Sequence, residues 1–360
     1  MTDADHTEAY CARVRKAAES GSPLVLAGSG SKAFLGPRGA GGETLDVTTH
    51  RGIVHYAPNE LVLTLRAGTE LAIAEAALAE HDQMLAFEPP HYGPHATIGG
   101  TLAAGLSGPR RASAGSARDF ILGMRIVNGR GEALRLGGEV IKNVAGYDVS
   151  RGVVGAFGTL GILLEASFKV LPRPRSERTL VQEAPDAAAA LKRLRERVLK
   201  PLPLSASAWH AGKLYLRLSG AEQAVVEAAR ELGGEWLADD APFWQALREQ
   251  QLAFFTDARP LWRLSVAPAA ALVPDTLVAA ANRLVEWDGA LRWLKTEAPP
   301  EELFAAAKAR GGHATLWRNA AEGTPIRQPL AESLRALHRR VKAALDPHGI
   351  FNPGRFYPEL

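Results

Sequence analysis

Pro23-Leu24-Val25-Leu26-Ala27-Gly28-Ser29-Gly30-Ser31-Lys32-Ala33 joins a short apolar run to a glycine–serine loop. The apolar run is a buried-strand candidate. Gly28 and Gly30 carry no Cβ, so backbone N–H groups there can approach a pyrophosphate closely. As a dinucleotide fingerprint, the loop has Ala33 in the third position and Asp46 as its acidic residue. Pro37, Gly39, Gly41 and Gly42 follow, however, so no helix starts there to meet a phosphate with its N-terminus. As a Walker loop, it lacks the four-residue gap before Gly-Lys-Ser/Thr. An ordinary surface turn has the same composition, and the loop alone does not choose between these.

Four more clusters of small residues lie downstream. They are Ala96-Thr97-Ile98-Gly99-Gly100-Thr101-Leu102-Ala103-Ala104-Gly105-Leu106-Ser107-Gly108, then Arg118-Asp119-Phe120-Ile121-Leu122-Gly123, Lys142-Asn143-Val144-Ala145-Gly146-Tyr147-Asp148, and Gly155-Ala156-Phe157-Gly158-Thr159-Leu160-Gly161-Ile162. Small residues in such numbers cannot build a core by themselves. They let backbone lie against a large flat ligand.

The order of the five clusters resembles the FAD-binding domain of the vanillyl-alcohol oxidase and p-cresol methylhydroxylase flavoprotein superfamily. Within it, the chain is similar to the family of FAD-binding subunits of bacterial glycolate oxidases. The likeness spans essentially the whole chain and is strongest from Ser22 to Pro172. It resumes at Asp346-Pro347-His348-Gly349-Ile350-Phe351-Asn352-Pro353-Gly354-Arg355. It implies an α+β protein: a two-subdomain PCMH-type FAD-binding domain over residues 1–172, then an α+β cap domain with an antiparallel sheet over 173–345. The cap would be a reduced form of the FAD-linked oxidase C-terminal type. Residues 346–360 would return to the first domain.

The resemblance also implies FAD contacts. Gly28, Ser29, Gly30, Ser31 and Lys32 would hold the diphosphate through main-chain N–H groups. Thr97, Gly99, Gly100 and Thr101 would line the cofactor, with Gly105 and Gly108 following. Gly158, Thr159, Gly161 and Ile162 would make the last contact, the Ile162 backbone meeting the adenine. Asn352 would come back near the flavin. The implied activity is that of a flavin-dependent oxidoreductase, the FAD-binding subunit of a glycolate oxidase complex oxidising glycolate to glyoxylate. The implied partners are a larger FAD-containing catalytic subunit and an iron–sulfur subunit.

Two departures matter. Some relatives attach FAD covalently through His or Cys. The pyrophosphate loop here has neither, and the one cysteine, Cys11, lies outside the motifs, so non-covalent FAD is expected. Relatives that oxidise 2-hydroxy acids carry Gly-His-x-Gly-Asp-Gly-Asn-x-His, whose histidines can hold a divalent metal. The corresponding stretch here is Gly311-Gly312-His313-Ala314-Thr315-Leu316-Trp317-Arg318-Asn319. With one histidine left, no metal site is expected and His313 reads as a strand-start residue. This chain is therefore expected to relay electrons or stabilise the assembly, and no proton-transfer residue is identified. The alternative is a self-contained FAD-dependent dehydrogenase of a hydroxy acid or alcohol.

Composition bounds the rest. The chain has 360 residues, 46% hydrophobic and 22% charged, which excludes a disordered chain and allows two domains. Lys and Arg number 42 against 39 Asp and Glu, a formal +3, too weak a field for a nucleic-acid binder. Arg193, Arg195 and Arg197 read as a solvated helix face. A single cysteine excludes a disulfide framework and a Cys-rich iron–sulfur or zinc site. Met1-Thr2-Asp3-Ala4-Asp5-His6 shows no signal peptide, and the longest apolar run, Val153 to Leu164, falls short of the roughly 20 residues of a membrane helix. A cytoplasmic protein is expected, peripheral at most on the inner face of the membrane through its complex.

Glycines crowd between Gly21 and Gly161, and Leu171-Pro172-Arg173-Pro174-Arg175 is the natural boundary. Helices are expected over Thr7–Ser20, Leu71–His81, Asp148–Phe157, Ala187–Leu199, Glu222–Leu232, Phe243–Phe255, Leu272–Leu284, Glu301–Arg310 and Pro329–Asp346. His91 and His95 flank Pro94 in a loop and read as structural or flavin-edge residues. Most of the seven tryptophans read as core, with some available for a partner surface. Tyr147 and Asp148 are structural or flavin-proximal.

Overall fold

The computed structural model describes residues 4–37, 39–138, 148–197 and 200–359. The chain divides into two units. The first comprises Met1–Ser107, Ser116–Pro172 and Pro329–Leu360; the second comprises Gly108–Gly115 and Arg173–Gln328.

The first unit is built mainly on two small sheets, with a further two-stranded pair formed by Gln83–Met84 and Leu171–Pro172. Helix Thr7–Ser20 buries Tyr10, Cys11, Val14 and Ala17, the spacing of one helical face. It ends at Gly21, whose φ of 65° suits glycine and whose N–H closes the last turn. That face packs on Leu24, Leu45, Ile162, Ile350 and Phe351. Strands Leu24–Ala27 and Glu43–Asp46 pair in parallel, Leu24 opposite Glu43 and Ala27 opposite Asp46. The second sheet is antiparallel, in the order Ile53–Ala57, Val62–Arg66, Ile162–Lys169, Ile121–Val127, Ala133–Gly137. Its central strand is buried from Ile162 through Phe168, which accounts for its unbroken apolar reading.

One short helix was not expected. Ile98–Ala104 contains Gly99-Gly100, a poor helix sequence. It forms because Thr97 caps it, its hydroxyl accepting the Gly100 N–H at 3.1 Å, and because Ile98 and Leu102 are buried. Gly99 is needed for close packing, since a Cβ there would stand 2.9 Å from that of Ala67. The expected helix over 148–157 shrinks to Val149–Val153, capped by Asp148 through the Arg151 N–H. Asp148 is thus a structural cap. Lys142 to Tyr147 lie outside the described residues.

Pro329–Leu360 belong to the first unit. Lys342 on helix Glu332–Leu345 fixes this segment. Its ammonium donates to the Thr159 carbonyl at 2.7 Å, the Phe351 carbonyl at 2.9 Å and the buried Asp346 carboxylate at 2.7 Å.

The second unit is one eight-stranded antiparallel sheet. Its order is Glu235–Trp236, Ser176–Glu183, Lys213–Gly220, Leu204–His210, Arg283–Glu286, Leu291–Lys295, Leu261–Ser265, His313–Arg318. Helices Ala187–Arg197 and Glu222–Leu232 supply residues to one core cluster, and helix Pro300–Lys308 to another. Six tryptophans are buried here; Trp236 is exposed beneath Arg178.

The helix expected over Leu272–Leu284 is absent. The segment is irregular to Ala279, then a single 3-10 turn and strand Arg283–Glu286. Pro274 has no N–H to donate. The buried Arg283 guanidinium takes the Val273 and Val278 carbonyls, and Arg292 and Arg310 take those of Ala270, Ala271 and Leu272. The carbonyls of Leu272, Val273 and Val278, which a helix would use internally, are bound by arginines instead. The helix expected over Phe243–Phe255 runs over Asp240–Arg248, and Gln250 breaks it with a φ of 56°.

Candidate functional site

The first unit contains a cavity of about 400 Å³ at the end of strand Leu24–Ala27. Its floor is Val25, Leu26 and Ala27, and the glycine–serine loop from Gly28 to Lys32 forms one wall. Gly39, Ala40 and Gly41 form another, and Gly100, Ala103 and Ala104 of helix Ile98–Ala104 a third. Phe157, Asn352, Pro353 and Arg355 complete the lining.

Asn352 assembles this site. Its Oδ1 accepts the Leu26 N–H at 2.8 Å and its Nδ2 donates to the Phe157 carbonyl at 2.8 Å. Its own N–H donates to the Leu24 carbonyl at 3.0 Å, while the Leu24 N–H donates to the Ile350 carbonyl at 2.7 Å. The C-terminal segment thus runs beside strand Leu24–Ala27 as a further parallel neighbour. Asn352 sits at a φ of 42°, a left-handed conformation that asparagine tolerates better than most residues. Gly158 makes room for it, because a Cβ there would lie 2.7 Å from Asn352 Nδ2. The 155–158 segment is held from its other side, the Gly155 and Phe157 N–H groups donating to Leu102 and Ala103 at 2.8 Å each.

The electrostatics favour an anion. Lys32 and Arg355 line the cavity, and among its described lining residues there is no aspartate or glutamate. The buried Lys32 ammonium donates to the His91 carbonyl at 3.1 Å. Arg355 donates to the Pro37 carbonyl at 2.6 Å and the Ala33 carbonyl at 3.1 Å. Burial pushes the Arg355 pKa down, but a guanidinium stays charged at neutral pH. Gly30 and Gly41 have open space where a Cβ would stand, at φ values of 77° and 82°. The result is a cationic cradle with backbone exposed on two sides, which fits the diphosphate of a dinucleotide cofactor.

The structure brings Gly28, Ser29, Gly30, Ser31, Lys32, Gly100 and Asn352 together on the cavity. The other residues named from the resemblance do not line it. Thr97 caps the helix that supplies Gly100, and Thr101 is buried with its hydroxyl unpaired. Gly99 packs on Ala67, Gly105 on Gly155 and Gly161 on the Val127 carbonyl, so internal packing accounts for these glycines. Thr159 uses its hydroxyl on the Ala156 carbonyl at 2.7 Å, and Ile162 is core. Gly108 belongs to the second unit, where its carbonyl accepts the Trp287 indole N–H at 2.9 Å.

Phe157, Gly39, Gly41 and Arg355 were missed. Arg355 closes the C-terminal signature, where a fixed cation was the available signal; Gly39 and Gly41 were read only as helix breakers. His91 pairs with Glu75 and His95 with Glu70, at 3.1 Å each, so the two histidines have separate structural partners. His313 is the first residue of strand His313–Arg318. Among the described residues no cluster of three His, Cys, Asp or Glu side chains could hold a metal ion, and no helix is long and apolar enough to cross a membrane.

Comparisons with known proteins agree with this geometry. Residues 3–137 match the family model of the FAD binding domain, and residues 327–356 that of the C-terminal domain of FAD linked oxidases. The chain is 49% identical over 360 residues to the glycolate oxidase subunit GlcE of Escherichia coli strain K12, covering 100% of both chains. It is 43% identical over 95 residues to the glycolate oxidase subunit GlcD of Bacillus subtilis strain 168, covering 26% of this chain and 20% of that one. Among solved structures it resembles alkyldihydroxyacetonephosphate synthase, with a TM-score of 0.66 at 16% identity, covering 97% of this chain and 74% of that one. That last likeness concerns the fold alone. With matched models at both ends of the first unit and a full-length relative at 49% identity, the chain belongs to the FAD-linked oxidase family, alongside the glycolate oxidase subunit GlcE.

Proposed function

We propose that this chain is the FAD-binding subunit of a glycolate oxidase complex and that it relays electrons or stabilises the assembly, leaving substrate oxidation to a larger flavin subunit. The observation that carries the reading is the cationic, glycine-lined cavity in a chain collinear with GlcE. FAD, when bound, supplies hydride- and electron-accepting chemistry. The residues here hold it. Main-chain N–H groups of Gly28–Lys32 would hold its diphosphate, with Lys32 and Arg355 supplying the opposing charge. Gly30 and Gly41 let backbone approach. Asn352 fixes the floor strand against the Phe157 segment. No histidine or cysteine is among the described lining residues, which supports non-covalent binding.

The division of labour rests on Gly311 to Asn319. This stretch offers one histidine where hydroxy-acid-oxidising relatives are expected to offer a metal-binding set. The proposed partners are the larger flavin subunit and an iron–sulfur subunit, in the cytoplasm or peripheral on the inner membrane face through the complex.

Co-expression of the three subunits, with the affinity tag on this chain, tests the reading. The expected product oxidises glycolate and carries FAD on this chain in addition to that on the larger subunit. A complex that forms with this chain flavin-free, or no complex at all, overturns it.

A further inference from the structure

We propose that the exposed seam of helix Glu332–Leu345 is the docking surface for a helix of the larger subunit, one with an apolar seam flanked by carboxylates. This rests on the reading of the chain as a complex subunit and names the face through which it assembles.

The helix contains no buried residue, yet it is apolar along one line. Leu334 is 49% exposed, Leu337 50% and Val341 41%, and Ala344 is exposed beyond them. Their spacing of three, four and three residues is that of alternating a and d positions in a heptad. Two leucines and a valine held in water by a folded unit are unfavourable, and no described residue covers them. The adjoining face of the helix is committed to the first unit, through Lys342 and through His338, whose ring stacks on Phe356 at 5.6 Å.

Charge selects the occupant. The helix carries Arg335, Arg339, Arg340 and Lys342 against Glu332 alone, a surplus equal to the formal +3 of the entire chain. Arg335 is paired with Glu332 and Glu359, and Lys342 with Asp346. Arg339 and Arg340 are exposed, with Arg340 in the g position beside the seam. An antiparallel second copy of this helix would set Arg340 against its own counterpart. A partner helix with carboxylates at its flanks meets Arg340 favourably. The seam is also narrow and holds no aromatic residue, unlike the broad Trp- and Phe-bearing face of a helix lying in a membrane interface. Docking there lies beside a ring contact that leads to the cofactor site, since His338 stacks on Phe356, which stacks on the cavity residue Phe157 at 5.9 Å.

The test uses the full chain co-expressed with the GlcD-type subunit of the same organism. Leu334→Ser with Leu337→Ser, and separately Arg340→Glu, are compared with wild type for assembly and for FAD bound per chain. At least a tenfold loss of affinity for the GlcD-type subunit in both variants, with FAD content unchanged, is expected for hot-spot residues. Wild-type affinity in both variants overturns the proposal while leaving the subunit reading intact. Failure of the wild-type chain itself to assemble overturns both. Two further outcomes overturn it: variants that assemble normally but no longer dimerise with a second copy, or that assemble normally but no longer bind vesicles containing phosphatidylserine.

Discussion

Asn352 Oδ1 accepts the Leu26 backbone N–H at 2.8 Å across 326 residues of sequence. The same carboxamide donates to Phe157, so one side chain ties the floor strand, the Phe157 segment and the C-terminal return into a single wall. Both ends of the carboxamide are used by the chain, which makes Asn352 a positioning residue for the cavity.

Asn352→Ala therefore orphans a half-buried N–H and a half-buried carbonyl. Each unsatisfied group costs about 1–3 kcal/mol. Urea unfolding of the first unit is expected at lower midpoint, and flavin-fluorescence titration at least about tenfold weaker binding. Asn352→Asp keeps the acceptor for Leu26 but sets a carboxylate oxygen against the Phe157 carbonyl and adds a negative charge to the cavity lining, so cofactor binding at least as weak as in the alanine variant is expected.

Gly158→Ala separates packing from backbone strain. Gly158 and Gly21 have similar φ values, 70° and 65°, but only at Gly158 would a Cβ meet a neighbour, Asn352 Nδ2 at 2.7 Å. A left-handed alanine costs about 1–2 kcal/mol at either position. Gly158→Ala is expected to lose more than that, and to lose cofactor affinity, whereas Gly21→Ala shows the strain alone with affinity unchanged.

Lys32→Met and Arg355→Met each remove one cation from the described cavity lining. Charge-assisted bonds to a diphosphate are worth about 1.5–3 kcal/mol, so a loss of about ten- to a hundredfold in FAD affinity is expected from either. Titrations at several salt concentrations check the cause, because each variant should bind with a weaker dependence on salt than wild type.

His50 sets an acid limit on stability. It is fully buried with Nδ1 accepting the His6 N–H at 3.0 Å, and burial pulls its pKa down to about 4. The unfolded chain binds this proton near pH 6.5. The stabilising effect is therefore complete above pH 6.5 and declines as pH falls toward 4, by about 3 kcal/mol in all. His50→Asn keeps an acceptor for His6 but cannot titrate. Chemical unfolding between pH 4 and 7 is expected to show a shallower decline for the variant.

Much of this was legible in the residues. Helix Thr7–Ser20 and the strand feeding Gly28 follow from periodicity and apolar patterning. The loop from Gly28 to Lys32 and Asn352 carried their address in motifs. Helix Ile98–Ala104 did not, because its glycines are tolerated only by packing on Ala67, a contact between distant segments. Leu272–Leu284 misled for the opposite reason: its apolar spacing suits a helix, but its own Arg283 takes the Val273 and Val278 carbonyls and the distant Arg310 takes that of Leu272. The glycines at 99, 105 and 161 look alike in sequence to those at 28 and 30, and only the fold separates packing glycines from cavity glycines.

The most direct measurement of the central claim is the absorbance of the isolated, FAD-loaded chain after mixing with glycolate. The account predicts a bound flavin spectrum that stays oxidised over minutes, with glycolate oxidation appearing only on addition of the larger subunit. Bleaching of the flavin band by glycolate at a turnover rate, with no partner present, would contradict it.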